Sequence, residues 1–200
     1  MVSTSFKPLV ARFIEPIARA GYRAGITPDM VTLFGAIGAT SSGLYLLISG
    51  ELFWASITVT IFALSDLFDG AIARISQKGA TQWGAFLDST CDRVTDAAIL
   101  MGLALYLIAQ EDPLVPLVLG CILLGSLIPY IRAKAESYQI ACSVGVAERT
   151  EGLIVILVAI GFAGLGIPYI LSIGIWLLLV LSFITVVQRI FVLRRGLLSQ

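Results

Sequence analysis

The sequence predicts an all-α integral membrane protein with six transmembrane helices, preceded by an N-terminal amphipathic helix that lies in the membrane interface. Of its 200 residues, 58% are hydrophobic and only 13% are charged, whereas soluble domains carry about 45–50% apolar and about 25% charged residues. The mean hydropathy is +0.97, and the chain contains six separate apolar stretches. Because these stretches use most of the length, we expect a single membrane domain over residues 1–200.

Residues 5–26 form the predicted interfacial helix. Arg12, Arg19 and Arg23 fall within about 40° of one another on a helical wheel, and a basic amphipathic helix of this kind lies flat on the membrane. The segment has no short apolar core followed by a small-residue cleavage site, so we expect no removable signal peptide. The residues Thr27, Pro28 and Asp29 then break this helix and provide start signals for the next one.

Six apolar stretches make up the predicted bundle of residues 31–193. They cover residues 31–49, 52–74, 84–110, 114–135, 152–165 and 168–193. All 13 Lys and Arg residues fall on the side of the N-terminus, whereas the opposite side carries only Glu51, Glu111 and Asp112. The positive-inside rule therefore predicts that both chain termini face the cytoplasm.

The composition also excludes several kinds of chemistry. The chain has no histidine, which removes Ser-His and Cys-His nucleophiles and His-ligated zinc. Cys91, Cys121 and Cys142 are too widely spaced to form a metal or redox motif. A net charge of zero argues against a nucleic-acid partner.

Four aspartates interrupt the second and third apolar stretches at the same depth: Asp66 and Asp69 on the second, and Asp88 and Asp92 on the third. The first pair is separated by about 60° around its helix and the second by about 40°, so each pair projects from one helix face. An ionised aspartate at this depth costs a few kcal/mol, which indicates a functional site. Carboxylates suit Mg²⁺ or Mn²⁺, and two such ions would serve phosphoryl chemistry. The alternative is ion pairing with Arg74 and Arg93.

These aspartates belong to a longer pattern, D66-x2-D69-G70-x2-A73-R74-x9-G84-x3-D88-x3-D92. The pattern resembles the signature of the CDP-alcohol phosphotransferase family, which are integral membrane enzymes of six spans. All eight signature positions match. The spacer between Arg74 and Gly84 has nine residues, where eight is common.

The resemblance implies a reaction and roles for its residues. An acceptor hydroxyl would attack the β-phosphorus of a CDP-linked lipid, usually CDP-diacylglycerol, and release CMP. The family pattern implies that two Mg²⁺ ions (or Mn²⁺) bind to Asp66, Asp69, Asp88 and Asp92. Asp92 would also be the catalytic general base, a role that suits a carboxylate beside the incoming hydroxyl. Binding of CDP-diacylglycerol is implied for Asp29, Met30, Val31, Thr32, Gly70, Arg74 and Thr81.

Two further expectations complete this part of the sequence. Asp96 lies outside the signature, one turn deeper than Asp92, and we expect it to make a structural hydrogen bond. A homodimer is implied by the resemblance alone.

Basic residues at the cytoplasmic ends of the last three spans indicate a phosphorylated polyol as the acceptor, because Arg and Lys make charge-assisted contacts to phosphate. The positive-inside bias alone would explain such residues equally well. The stretches YIRAKAESYQIACSVGVAERTEG and VVQRIFVLRR resemble the actinobacterial phosphatidylinositol phosphate synthases within this family. That resemblance implies inositol 1-phosphate as the acceptor and a bacterial plasma membrane as the location. The implied acceptor-phosphate residues are Arg132, Lys134, Arg149 and Arg189.

Some differences from the relatives' sequences and several rival functions stay open. Relatives commonly have an arginine at the position of Gly152 and a serine at that of Pro129. Arg132 and Lys134 are about 200° apart on a helix, so they face one pocket only where the helix frays. The nearest rival function is phosphatidylglycerophosphate synthase, with glycerol 3-phosphate as acceptor. Rivals from other classes are a divalent-cation transporter and a non-catalytic scaffold.

Overall fold

The structure is a computed structural model that describes residues 14–76, 79, 81–146 and 148–199, with the side chain of Asp66 outside the description. Within these residues the chain forms eight α-helices and no β-strand. The helices are α1 (14–23), α2 (Pro28–Ile48), α3 (Leu52–Ala63), α4 (Ser65–Ile75), α5 (Gln82–Ala109), α6 (Val115–Ser137), α7 (Arg149–Gly164) and α8 (Ile170–Leu198).

The all-α prediction is confirmed, since each of the six predicted apolar stretches is helical in the structure. The second stretch differs in detail, because it consists of α3 and α4 with a break at Leu64. The backbone of Leu64 keeps helical dihedral angles, φ −65° and ψ −15°. The N–H of Leu67 donates to the carbonyl of Leu64 at 3.1 Å, which is the three-residue spacing of a tighter helical turn. The break is therefore a local tightening just before the first aspartate pair.

Within the part of the chain that the structure describes, four helical segments are long and apolar enough to cross a bilayer, namely Pro28–Ile48, Leu52–Ile75, Val115–Ser137 and Ile170–Leu198. The chain is thus an integral membrane protein. Helix α5 has 28 residues but contains four charged side chains. Helix α7 has 16 residues, which is fewer than the roughly 20 that a span needs. The count of six spans stays a prediction.

The predicted interfacial helix corresponds in part to α1, and its residues 5–13 lie outside the described residues. Helix α1 ends where Gly25 adopts a left-handed conformation, with φ +83°. The N–H of Ile26 donates to the carbonyl of Gly21 at 3.0 Å, a bond typical of a glycine-terminated helix. The hydroxyl of Thr27 then accepts a hydrogen bond from the N–H of Met30 at 3.3 Å, and Pro28 occupies the first position of α2. The predicted helix boundary is confirmed.

The chain divides into two compact units, and the prediction of a single domain stays a prediction. The first unit comprises residues 1–42 and 58–95. In its described part, small residues of α2 allow a close approach of the second stretch: a side chain at Gly35 would overlap Ser65, and one at Gly38 would overlap Phe62. A separate apolar cluster packs α1 and α4 around Ala18, Ala71 and Ile72. This packing holds the N-terminal end of α2 beside α4.

The second unit comprises residues 43–57 and 96–200. Helix α8 packs against both α6 and α7 in this unit. Glycine allows close contact at Gly174, where a side chain would overlap Ala159, and at Gly164, where it would overlap the backbone of Phe53. The hydroxyl of Ser56 donates to the carbonyl of Leu157 at 2.7 Å, which links α3 to α7 through a buried polar contact.

Candidate active site

A cavity of about 680 Å³ in the first unit contains most of the described residues that the signature singles out. Its walls come from the end of α1, the start of α2, helix α4 and the start of α5. The predicted residues that line it are Asp29, Thr32, Asp69, Gly70, Ala73, Thr81, Gly84 and Asp88. The structure therefore brings together residues that are up to 59 positions apart in the sequence, from Asp29 to Asp88.

Asp69 is held inside this cavity by a hydroxyl group from another helix. The hydroxyl of Thr32 donates to Oδ2 of Asp69 at 2.6 Å. The same hydroxyl lies 3.2 Å from the carbonyl of Pro28, one helical turn earlier. Thr32 is 7% exposed and Asp69 is 9% exposed, so the bond is shielded from water and links α2 to α4.

Gly84, the first residue of the third apolar stretch, lies where a side chain would crowd two polar groups. A β-carbon at Gly84 would lie 3.1 Å from the hydroxyl oxygen of Thr81 and 3.3 Å from Oδ1 of Asp29. The hydroxyl of Thr81 accepts a hydrogen bond from the N–H of Gly84 at 2.9 Å, and so satisfies a donor at the start of α5. Gly84 therefore lets the first turn of α5 lie directly against the two polar side chains.

Arg74 lies beside the cavity, because a β-carbon at Gly70 would be 3.6 Å from Nη1 of Arg74. Met30 and Val31 are not brought into the cavity: Met30 is 60% exposed, and Val31 packs against the apolar cluster of α1 and α4. Helical geometry explains this, since consecutive residues point in directions about 100° apart. Of the four consecutive residues 29–32, only the first and last line the cavity.

Asp92 lies on α5 one turn after Asp88 and is outside the cavity lining. Its Oδ2 is 3.8 Å from Nη2 of Arg93, and the side chain is 18% exposed. The ion pair with Arg93 that the sequence left open as an alternative is thus present for this aspartate, at a long distance.

Among the described residues, no three acidic or cysteine side chains group closely enough to hold a metal ion. The four-aspartate cluster includes Asp66, whose side chain is outside that description, and it stays a prediction. The donor chemistry of the cavity nevertheless fits a hard divalent cation. Asp29, Asp69 and Asp88 all line it, and carboxylate oxygens are the ligands that Mg²⁺ and Mn²⁺ prefer.

In the second unit, Arg149 forms an ion pair with Asp96. Its Nε lies 3.2 Å from Oδ1 and 3.1 Å from Oδ2 of that carboxylate. The side chains of Arg149 and Asp96 are 26% and 30% exposed. The expectation that Asp96 makes a structural hydrogen bond is therefore confirmed, and its partner is one of the implied acceptor-phosphate residues.

Arg189 differs from the other basic residues that the structure describes because it is buried, with only 3% of its surface exposed. Its Nε donates to the carbonyl of Val144 at 2.9 Å, and its Nη1 donates to the carbonyl of Ile128 at 2.6 Å. Arg189 thus ties α8 both to α6, just before Pro129, and to the segment that joins α6 to α7.

Arg132 and Lys134 point to different partners on α6. Nε of Arg132 lies 3.0 Å from Oε1 of Glu136, whereas Nζ of Lys134 lies 4.9 Å from the ring centre of Tyr138. Helix α6 continues to Ser137 without fraying, so the two side chains stay on different faces. The structure does not bring this pair to one pocket.

Several cavity residues were missed by the sequence reasoning. Tyr22 and Ile26, at the end of α1, and Trp83, at the start of α5, also line the cavity. They carry no motif, and their only signal in the sequence is their position next to the predicted helix boundaries. Helix α1 thus contributes its C-terminal end to the cavity.

Comparisons with known proteins show the family of this chain. A sequence model of the family described as CDP-alcohol phosphatidyltransferase matches residues 25–194. The chain is 40% identical over 205 residues to the phosphatidylinositol phosphate synthase of Streptomyces avermitilis. The aligned region covers 98% of this chain and 83% of that protein. It is 42% identical over 186 residues to that of Mycobacterium tuberculosis (strain H37Rv), which covers 90% of this chain and 85% of that protein.

Solved structures give the same result. The crystal structure of the M. tuberculosis phosphatidylinositol phosphate synthase with CDP-DAG bound superposes with a TM-score of 0.86 at 41% identity, over 92% of this chain and 94% of that one. The structure of the same synthase in complex with manganese and citrate gives a TM-score of 0.85 at 40% identity, over 90% of this chain and 88% of that one.

Proposed function

The chain belongs to the CDP-alcohol phosphatidyltransferase family, and from this premise we propose that it is a phosphatidylinositol phosphate synthase. It transfers the phosphatidyl group of CDP-diacylglycerol to inositol 1-phosphate and produces phosphatidylinositol phosphate and CMP. Relatives of about 40% identity over most of the chain carry that name. The structural observation that carries the proposal is the single cavity that Asp29, Asp69, Thr81 and Asp88 line together.

We propose that the first unit binds the donor and two divalent ions. Asp66, Asp69, Asp88 and Asp92 would hold Mg²⁺, or Mn²⁺ as in the mycobacterial structure. When bound, such ions offset the charge of the pyrophosphate and of the departing CMP. The nucleotide would contact Asp29, Thr81 and the backbone at Gly70, which leaves room for a phosphate because it has no side chain. Arg74, next to Gly70, is placed to contact a phosphate oxygen through charge-assisted hydrogen bonds.

The transfer then needs one proton acceptor. The acceptor hydroxyl oxygen forms a bond to the β-phosphorus, and the bond from that phosphorus to the bridging oxygen breaks, so CMP leaves with that oxygen. The hydroxyl proton passes to a carboxylate oxygen of Asp92, which is the only kind of base that the chain offers in this layer, since it has no histidine. An ionised Asp92 is therefore required at the start of the step.

We propose that Arg149 contacts the phosphate of inositol 1-phosphate, with Arg132, Lys134 and Arg189 as the further candidates. We propose a multi-pass protein of the plasma membrane, on the basis of the family resemblance. The charge distribution supports a topology in which the termini and the active site face the cytoplasm, because all 13 basic residues follow it. A homodimer remains part of the proposal through family resemblance. The second candidate acceptor is glycerol 3-phosphate, which also carries a phosphate that these arginines would recognise.

The test is a CMP-release assay on the purified protein. It supplies CDP-diacylglycerol with inositol 1-phosphate, glycerol 3-phosphate or no acceptor, in Mg²⁺ or in EDTA. We expect CMP release with inositol 1-phosphate and Mg²⁺ only. Asp69→Asn should lower it by more than about 100-fold, because the loss of a metal ligand itself should cost more than the about 10- to 100-fold that the loss of a ligand's hydrogen-bond partner costs. Glu51→Gln is the matched control, since it neutralises an exposed carboxylate between predicted spans.

Faster turnover with glycerol 3-phosphate than with inositol 1-phosphate would contradict the proposed acceptor and support phosphatidylglycerophosphate synthase activity. Metal uptake into proteoliposomes without any CMP release would support a transporter instead. Near-normal CMP release by Asp69→Asn would contradict the metal site that is assigned to the aspartates.

A further inference from the structure

The family resemblance assigns Thr32 to the donor nucleotide, yet the structure gives its hydroxyl another partner. The hydroxyl has one proton, and two acceptors lie near it: Oδ2 of Asp69 at 2.6 Å and the carbonyl of Pro28 at 3.2 Å. Hydrogen bonds to an ionised acceptor are shorter and about twice as strong as those between neutral groups. The proton of Thr32 is therefore used by the carboxylate.

This bond fixes the direction of the Asp69 side chain. Asp69 lines a cavity of about 680 Å³, and each rotamer of an aspartate places its two oxygens differently. Holding Oδ2 against Thr32 also sets the plane of the carboxylate and hence the position of Oδ1. The bond joins two helices, and its two side chains are 7% and 9% exposed.

We propose that Thr32 is a positioning residue of the divalent-cation site, which acts by holding Asp69 in the orientation that binds the ion. This rests on the proposed function, in which Asp69 is a metal ligand. Partners of this kind hold a ligand in the geometry that the ion requires, and their loss costs about 10- to 100-fold in metal affinity. The role makes a different prediction from direct nucleotide binding, because it acts on the ion in the absence of any substrate.

The experiment measures Mn²⁺ binding to the purified full-length protein without donor or acceptor, from the electron paramagnetic resonance signal of free Mn²⁺. Thr32→Val keeps the shape of the side chain and removes the hydroxyl, while Thr32→Ser keeps the hydroxyl. Thr40→Val is the matched control on the same helix, because the hydroxyl of Thr40 faces that of Thr95 at 3.4 Å and touches no carboxylate there. Thr32→Ala is a second variant for the event that the valine variant does not fold.

We expect Thr32→Val or Thr32→Ala to weaken Mn²⁺ binding about 10- to 100-fold, with Thr32→Ser and Thr40→Val close to the wild type. CDP affinity at saturating Mn²⁺ should stay unchanged in all of them. Unchanged Mn²⁺ affinity in the valine and alanine variants, with weakened CDP binding, would overturn the proposal and make Thr32 a nucleotide ligand. A wild-type protein that binds no Mn²⁺ would overturn the proposed metal site, and the role of Thr32 with it.

Discussion

Arg189 provides the sharpest test of how the basic residues divide between substrate binding and structure. The resemblance places it among the acceptor-phosphate residues, but the structure buries it and uses two of its nitrogens for the carbonyls of Val144 and Ile128. We predict that Arg189→Leu lowers the stability of the protein and that its main effect is not on acceptor affinity. Leucine keeps part of the apolar stem and removes both donors.

The magnitude follows from those two bonds. A buried carbonyl that loses its partner costs about 1–3 kcal/mol, so two carbonyls cost about 2–6 kcal/mol. Removing the guanidinium also removes its own desolvation penalty, which favours the lower half of this range. A loss of about 2–4 kcal/mol lowers the Tm of a protein of this size by about 4–16 °C, at about 2–4 °C for each kcal/mol.

The assay uses a thiol-reactive fluorescent dye during heating in detergent micelles. Cys142 is 3% exposed and its Sγ lies 3.9 Å from the carbonyl oxygen of Arg189, so its reactivity reports the opening of this region. Arg195→Leu is the matched control, because Arg195 is an exposed arginine on the same helix and its replacement should change stability by less than about 0.5 kcal/mol. A variant that melts like the wild type but has a raised KM for inositol 1-phosphate would refute the structural role and restore Arg189 to the acceptor site.

Three further predictions concern the second unit. Arg149→Ala should raise the KM for inositol 1-phosphate about tenfold or more and change kcat by no more than about twofold, because a charge-assisted contact is worth about 1.5–3 kcal/mol. If acceptor titrations show an unchanged KM, Arg149 does not belong to the acceptor site. Asp96→Asn should lower the free energy of unfolding by about 1 kcal/mol, which is less than the loss predicted for Arg189→Leu, because the ion pair between Asp96 and Arg149 is partly exposed. Gly164→Val should lower the yield of folded protein in size-exclusion chromatography, because its side chain would overlap the backbone of Phe53. Gly125→Val is the control, since a β-carbon at Gly125 meets nothing within 4 Å. Equal yields of the two variants would show that the close contact at Gly164 is dispensable.

Much of the fold was predictable, because the apolar runs in this chain are separated by strong boundary signals. The predicted span 114–135 is the helix Val115–Ser137, and the predicted span 168–193 is the helix Ile170–Leu198. The break at Leu64 was not predictable. The local sequence there contains neither glycine nor proline, so the tightening has no local signal, and the close approach of Gly35 and Gly38 that accompanies it is a tertiary feature.

The grouping of signature residues around one cavity was also predictable in outline, since a spaced motif on neighbouring helices has few ways to arrange itself. What the motif could not give is the choice among several acceptors for one hydroxyl. Thr32 lies within reach of a backbone carbonyl of its own helix and of Asp69. Only the packing of α2 against α4, through residues outside the motif, makes the second partner available.

The basic residues show a further limit, because charge at a helix end looks the same in sequence whatever it contacts. Arg132 and Lys134 are two positions apart, and periodicity alone predicts that they diverge on an intact helix. The structure keeps α6 intact to Ser137 and gives each its own partner one turn later. Two cations on different faces of one helix serve different surroundings, so counting basic residues overstates the number that bind one phosphate. Burial is what separates them: Arg189 is 3% exposed and donates to two backbone carbonyls, whereas Arg149 pairs with the carboxylate of Asp96 at a partly exposed position.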